Sequence, residues 1–424
     1  KAVYGGGNKA AYTPSTTGHS TTVHVYGCTE NTIKTVYGGG NAADVGTTGT
    51  DAVSANTNVI IEGGRFDQVF GGGNGYSASG NHDTPSGDDY NPGANIYGTA
   101  TTDIQGGLYG QVFGGSNQYG NVTSTSLSIN KLCDYLLIKE SFGGANEADI
   151  TGDVTTTLGC VNSGIQIGSF YGGSNLAKIE GNVTRNVEGG VYTNVFGGSK
   201  GTSAKAADIT GDVTLNLYGG TMDNAFGGSD VNGNIGGKIT VNMLNKGASG
   251  CGLIVHNIYG GGRDAAYDPT YTVAEGETRL SPEVNLIHGT VSKKAETNNN
   301  TTTYTGGNVF GGGLGSTATV SSNPKVTVGY VSSMSSLLPS GLTTVNVTVE
   351  GDVYGGGEEA AVSGSTSVTV QQGTADATIT SILTRVDGDV YGGGALANVG
   401  TDGNNTTQVT VTGGRVSNVY GGGL

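Results

Sequence analysis

The phrase VYGGGN occupies residues 3–8 and returns unchanged at 36–41. Variants follow as VFGGGN at 69, VFGGSN at 112, SFGGAN at 141 and FYGGSN at 170, and the last six residues read VYGGGL. The aromatic of the phrase falls at Tyr4, Tyr37, Phe70, Phe113, Phe142, Tyr171, Phe196, Phe226, Tyr259, Phe310, Tyr354, Tyr391 and Tyr420. The intervals are 33, 33, 43, 29, 29, 25, 30, 33, 51, 44, 37 and 29 residues. A floor of 25 with additions above it is what stacked, near-identical turns with variable loops produce, and self-similarity at this period marks a repeat architecture.

Inside a repeat three short segments recur. One is the aromatic phrase. The second is Ala-x-Ile/Val-x-Gly, as in AKIEG, ADITG (148–152 and 207–211) and AAVSG (360–364). The third alternates apolar and polar residues before glycine: VHVYG at 23, VIIEGG at 59, LNLYGG at 215 and VTVTGG at 409. Alternation with period two is the mark of a strand with one buried face. Glycines punctuate each segment, where the chain turns with positive φ or approaches a neighbour closely.

Three strands and three turns in 25–33 residues predict one coil of a parallel β-helix, each strand pairing with its counterpart about 4.8 Å away. Parallel crossovers are right-handed. The expected fold is therefore all-β: a right-handed parallel β-helix of about 12 coils, forming a single continuous β-solenoid over 1–424. Lateral insertions are expected near 75–97, 263–304 and 321–343. A β-propeller is the rival, but 25–30 residues are too few for a four-stranded blade.

Composition agrees with a thin core. Glycine is 81 of 424 residues, tryptophan is absent and charged residues make up 12%. Glycine lacks a three-residue period and proline numbers only 7, which excludes collagen. The regular valine, isoleucine and tyrosine spacing speaks against disorder. Net charge is −15 with no cluster of lysine or arginine, which argues against nucleic acid as a partner. No apolar run is long enough for a membrane-spanning helix. The chain opens and closes inside a repeat, which predicts a segment of a longer protein.

The phrase itself can then be read. Its glycines make a tight corner where coils stack without Cβ clashes. Asn8, Asn41, Asn74, Asn117, Asn146 and Asn175 follow it and are placed to hydrogen-bond up and down the stack. The thirteen aromatics form a ladder, read as inward because Tyr171, Asn175, Ala177 and Ile179 share parity. An outward stripe, exposed enough to mark a binding surface, is the alternative. Interchange of Tyr and Phe predicts that the hydroxyl reaches solvent or a corner carbonyl. Arg185, in NVTRNVEGG, aligns with Val23, Val59 and Leu215 at an inward position. A buried arginine demands a partner, so a local shift of the coil is expected there.

This architecture, carried by segments such as AKIEG, LNLYGG and YGGSN along the whole chain, resembles the right-handed parallel β-helix of secreted bacterial surface proteins: autotransporter passenger domains, large adhesins and phage tailspikes. The resemblance implies an extracellular or cell-surface, non-enzymatic structural or adhesive role, as part of a surface protein or fibre. It also implies end-to-end self-association or continuation of the same chain, and a glycan or host-surface ligand. It transfers no site residues. The calcium-binding nonapeptide repeat is a poor match, since GGGNAADVG lacks its G-x-D spacing.

Carbohydrate-binding or carbohydrate-cleaving β-helices, of tailspike or lyase type, are the alternative. They need clustered carboxylates on a lateral face. The richest acidic loop, GNHDTPSGDDYNPG (80–93), offers His82, Asp83, Asp88 and Asp89, and reads as a solvated insertion. Glu358 and Glu359 are adjacent and so fall on opposite faces of a strand. The histidines at 19, 24, 82, 256 and 288 are scattered. A second ladder, Asn121, Asp153, Asn182 and Asp212, predicts side chains bonding to backbone at a turn; calcium is the alternative occupant. No other cofactor is indicated. An ice-binding solenoid would use Thr155, Thr184, Thr214 and Thr240, but the flanking Thr157, Asn186, Asn216 and Asn242 are irregular. Cys133 and Cys160 lie in consecutive coils at the same corner, which predicts a disulfide between them. Cys28 and Cys251 have no cysteine in an adjacent coil and are expected to be free.

Overall fold

Each apolar-alternating segment pairs with its own counterpart one repeat later, because only that register keeps every buried side chain over a buried side chain. The computed structural model describes residues 1–28, 31–75, 93–160, 164–247, 251–269, 280–298, 301–401 and 403–424. Its secondary structure is all-β apart from one short 3-10 helix, Ser332–Leu337. Nearly all pairing is parallel and in one extended sheet system.

Two ladders run the length of the chain. In the aromatic ladder Tyr4 pairs with Tyr37, Tyr37 with Phe70, Phe70 with Phe113, and so on to Tyr391 with Tyr420. In the valine ladder Val23 pairs with Val59, Val59 with Thr102 and, further on, Val326 with Val368 and Val368 with Val409. The third segment, expected as a strand, instead forms one bridge per repeat. Tyr12, Val45, Ile96, Val122, Ile150, Ile179, Ile209 and Ile235 stack this way, as do Tyr267, Val320, Val362 and Val399. The Ala-x-Ile-x-Gly segment is too short between its glycines to sustain more than a single rung. Each repeat, called a rung below, thus contributes two strands and a bridge.

Valine and isoleucine from all three lines fill one continuous buried column from Val23 to Val390. The aromatics form a second buried cluster, Tyr37 to Tyr391. The expected burial is found and the exposed stripe is not, but the face assigned by parity needs correction. Phe170 belongs to the column and the next residue, Tyr171, to the aromatic cluster, so the ring lies on the opposite face of the strand and is covered by the turn that follows it. Twelve consecutive ring pairs stack with centroids 4.7–5.0 Å apart and planes within 13°. The strand spacing imposes this separation, and it is favourable for offset stacking.

The glycines after the aromatic serve close approach. A Cβ on Gly38 would sit 2.2 Å from the Gly71 carbonyl oxygen, and on Gly172 2.0 Å from that of Gly197. The backbone ladder continues through this corner, with Gly38 N donating to Phe70 O and Gly39 N to Gly72 O. The asparagine ladder forms as expected: the Nδ2 of Asn41, Asn74, Asn117, Asn146 and Asn175 each donates to Oδ1 of the preceding asparagine at 2.7–2.9 Å.

Of the expected insertions, residues 76–92 lie outside the described residues, and with them His82, Asp83, Asp88 and Asp89. The stretch 263–304 departs less from the stack than expected, since Glu283–Val291 pairs within it. Lys293–Asn298 and Thr301–Gly306 form an antiparallel hairpin that leaves it. Likewise Lys325–Val328 is a rung strand, and the 3-10 helix follows it.

Arg185 is the other departure. No shift occurs: it pairs in register between Thr156 and Leu215 and is fully buried. The parity was right, and the guanidinium is accommodated by stacking its carbon 3.3 Å over the Phe170 ring.

Candidate functional site

Three sets of polar groups decorate the stack. The first sits where the aromatic rings end. The hydroxyl or ring edge reaches the turn residue two rungs ahead, at the position held by asparagine in the early repeats. Tyr37 meets Asn117, Tyr171 donates to Asp230 at 2.9 Å and Tyr259 to Glu358 at 2.5 Å. Cations also approach the rings: Lys200 Nζ lies 6.0 Å from the Phe142 ring and 5.8 Å from that of Tyr171, and the Arg263 guanidinium 5.8 Å from Phe196. For Tyr37, Tyr171 and Tyr259 the partner is thus a carboxylate or amide, in place of the expected solvent or corner carbonyl. The Asp230 side chain is almost wholly buried between Tyr171 and Arg263, whose Nη2 is 2.7 Å away. Burial raises the Asp230 carboxyl despite the Arg263 charge, and burial with the nearby carboxylate raises the Tyr171 phenol. Burial pushes Tyr37 up to about 12. Glu358 and Glu359 lie in this turn and not on a strand, so the opposite-face argument does not apply to them.

The second set contains the Asn121, Asp153, Asn182 and Asp212 ladder, which bonds to backbone as expected. Asn182 N donates to Asp153 Oδ1 at 2.8 Å, Asp212 N to Asn182 Oδ1 at 2.9 Å and Lys238 N to Asp212 Oδ1 at 2.8 Å, while Asn121 N donates to Asn95 Oδ1. One side-chain oxygen per rung is thus occupied by the next rung's backbone. Among the described residues no group of three or more His, Cys, Asp or Glu is placed to hold a metal. Thr155, Thr184, Thr214 and Thr240 do stack in register. Beside them Asn186, Asn216, Asn242 and Asn285 bond to one another at 2.9–3.1 Å.

The cysteines pair as Cys28–Cys133 and Cys160–Cys251. The expected Cys133–Cys160 bond is absent, and Cys28 and Cys251 are not free. The expectation applied the strand spacing to residues that leave the strands. Between Cys28 and Cys133 two rungs carry glycine pairs at the same corner, Gly63–Gly64 and Gly106–Gly107. Between Cys160 and Cys251 the same holds for Gly189–Gly190 and Gly219–Gly220. A Cβ on Gly63 would lie 2.9 Å from Cys28 Cα, and one on Gly106 2.6 Å from Cys133 Cβ. The second glycine of each pair has positive φ, between 90° and 124°. Glycine therefore flattens the two middle corners, and each disulfide straps across them. The readable signal is Cys, Gly-Gly, Gly-Gly, Cys, occurring twice.

The third set lies on the outer face of the aromatic strands. Thr32, Arg65, Leu108, Leu137 and Gln166 stand in register there. Two hollows of about 500 and 570 Å³ share Arg65, Leu108 and Leu137 and make one trough along the stack. Lys1, Lys34 and Lys131 also line it, against Asp67 and Asp134. In a chain of net charge −15 this is a local excess of cations. Among the described residues Lys1, Lys34, Arg65 and Lys131 form no ion pair. The composition of the sequence hides this trough because its cations are far apart in the chain.

Comparison with known proteins gives no match to a family model, a curated protein or a solved structure. No helix among the described residues is long and apolar enough to cross a membrane.

Proposed function

We propose that this chain is a right-handed parallel β-helix serving as a non-enzymatic structural or adhesive β-solenoid of a bacterial surface protein or fibre. The unbroken stack of thirteen aromatic rungs carries the reading, because every one repeats the same parallel pairing. Two disulfides support an oxidising, extracellular setting. Further rungs, from the same chain or a second copy, would add by the same parallel pairing. Small-angle X-ray scattering tests the shape. Twelve steps of about 4.8 Å give a rod roughly 58 Å long over the described stack. A globular profile, with no cross-section regime distinct from the overall size, would sink the proposal.

The cationic trough favours a second reading, in which the lateral face holds an acidic glycan. Retention on an immobilised polyuronate column that weakens with salt is expected, and Arg65→Glu with Lys34→Glu should release the protein at lower salt. Equal retention of the double variant would overturn the trough as the ligand face.

A further inference from the structure

Arg185 lies wholly inside the apolar column. Its Nη1 donates to Phe196 O at 2.7 Å, and its carbon stacks on Phe170. Nε and Nη2 have no partner among the described residues. Burial pushes this guanidinium down from its ordinary value, yet an arginine side chain keeps its proton in proteins. A buried charge without a counter-charge is not sustained in an apolar interior. Tyr192 is no counter-ion: its hydroxyl donates to Gly189 O and burial raises its phenol.

The rung N-terminal to Arg185 is built differently from its neighbours. There Ser141 replaces the Val112 of the rung before and sits under Phe170, and Thr156 replaces Leu127 and sits under Arg185. Both are fully buried, and both hydroxyls lack a partner among the described residues. Thr102 is likewise buried with an unpartnered hydroxyl two rungs before Thr156, but only here do two such hydroxyls stand together beneath the one cation buried among the described residues.

We propose that Arg185 binds a small monovalent anion of the halide class inside the column, with the hydroxyls of Thr156 and Ser141 donating to it. The anion supplies the missing charge, and Nε–H, Nη2–H and the two O–H groups supply its shell. Binding would couple to folding, since the site exists only when the rungs on either side of it are stacked.

Chloride itself is the probe. Long-wavelength anomalous diffraction from crystals of the full chain purified in sodium chloride should show a peak beside Arg185, comparable in height with the disulfide sulfurs. In solution, once chloride exceeds its dissociation constant, a tenfold increase at constant ionic strength, balanced with gluconate, should lower the unfolding equilibrium constant about tenfold. Arg185→Leu should abolish that dependence. A water-like peak without anomalous signal, or an Arg185→Leu protein with the same chloride dependence as the parent, would overturn the proposal. Should Arg185→Leu fail to fold, the anomalous map of the parent protein decides alone.

Discussion

Reducing both disulfides will lower the unfolding free energy by about 4–5 kcal/mol for each bond. The chain-entropy estimate for a closed loop of roughly 100 residues is about 4.7 kcal/mol, and the bonds here close 105 and 91 residues. The loops do not overlap, since one ends at Cys133 and the other begins at Cys160. Their effects should therefore add within a few tenths of a kcal/mol. Urea unfolding of the Cys28→Ser/Cys133→Ser and Cys160→Ser/Cys251→Ser proteins, alone and combined, measures this. Because a stack of rungs unfolds by neighbour interactions, amide exchange should rise first in the rungs each strap spans. A non-reduced digest should yield linked peptides 28–133 and 160–251. Finding Cys133 linked to Cys160 would instead restore the strand spacing as the rule for these cysteines and leave the glycine corners without a part in their pairing.

Sequence reasoning was weakest where a side chain's burial depends on a corner. Register between like segments of successive repeats was legible, because the strand spacing fixes it. The rung register, the asparagine ladder and the inward position of Arg185 all follow from aligning the repeats. Parity failed at the aromatic because two adjacent residues, Val195 and Phe196, are both buried. One faces the column, and the turn covers the other. A period-two pattern cannot distinguish a buried outer face from an exposed one. The cysteines failed for a related reason. They stand in corner loops, whose separations depend on what the intervening corners lack. The shift assigned to Arg185 came from weighing the charge penalty above register, whereas the rungs on both sides hold the register in place. After Asn175 the same turn position holds Lys200, Asp230, Arg263 and Glu358 in place of asparagine. Each meets the aromatic two rungs earlier, an acid at Tyr171 and Tyr259 and a cation at Phe142 and Phe196, with Lys200 also lying beside Tyr171.

Gly172→Ala will be among the most damaging single-methyl changes this chain can suffer, and Gly252→Ala among the mildest. At Gly172 the added Cβ meets the Gly197 carbonyl oxygen at 2.0 Å and the Gly197 carbon at 2.9 Å. Both are backbone atoms, and no rotamer change moves them. The obstructed carbonyl belongs to the corner where Gly172 N donates to Phe196 O and Gly173 N to Gly198 O, so separating the rungs to admit the methyl also stretches the ladder. Overpacking of this kind costs typically 1–3 kcal/mol where side chains can yield, and backbone obstruction should place it at roughly 3 kcal/mol or more. At Gly252 a Cβ meets nothing within 4 Å, and φ is not in the left-handed region. There the lost chain entropy of the unfolded state makes alanine neutral or slightly stabilising, by up to about 1 kcal/mol. The two proteins differ in composition by nothing, so urea midpoints compare them directly. Equal midpoints would show that the corners are not held at the close approach that glycine permits, and close approach would then no longer explain why the glycine phrase repeats thirteen times.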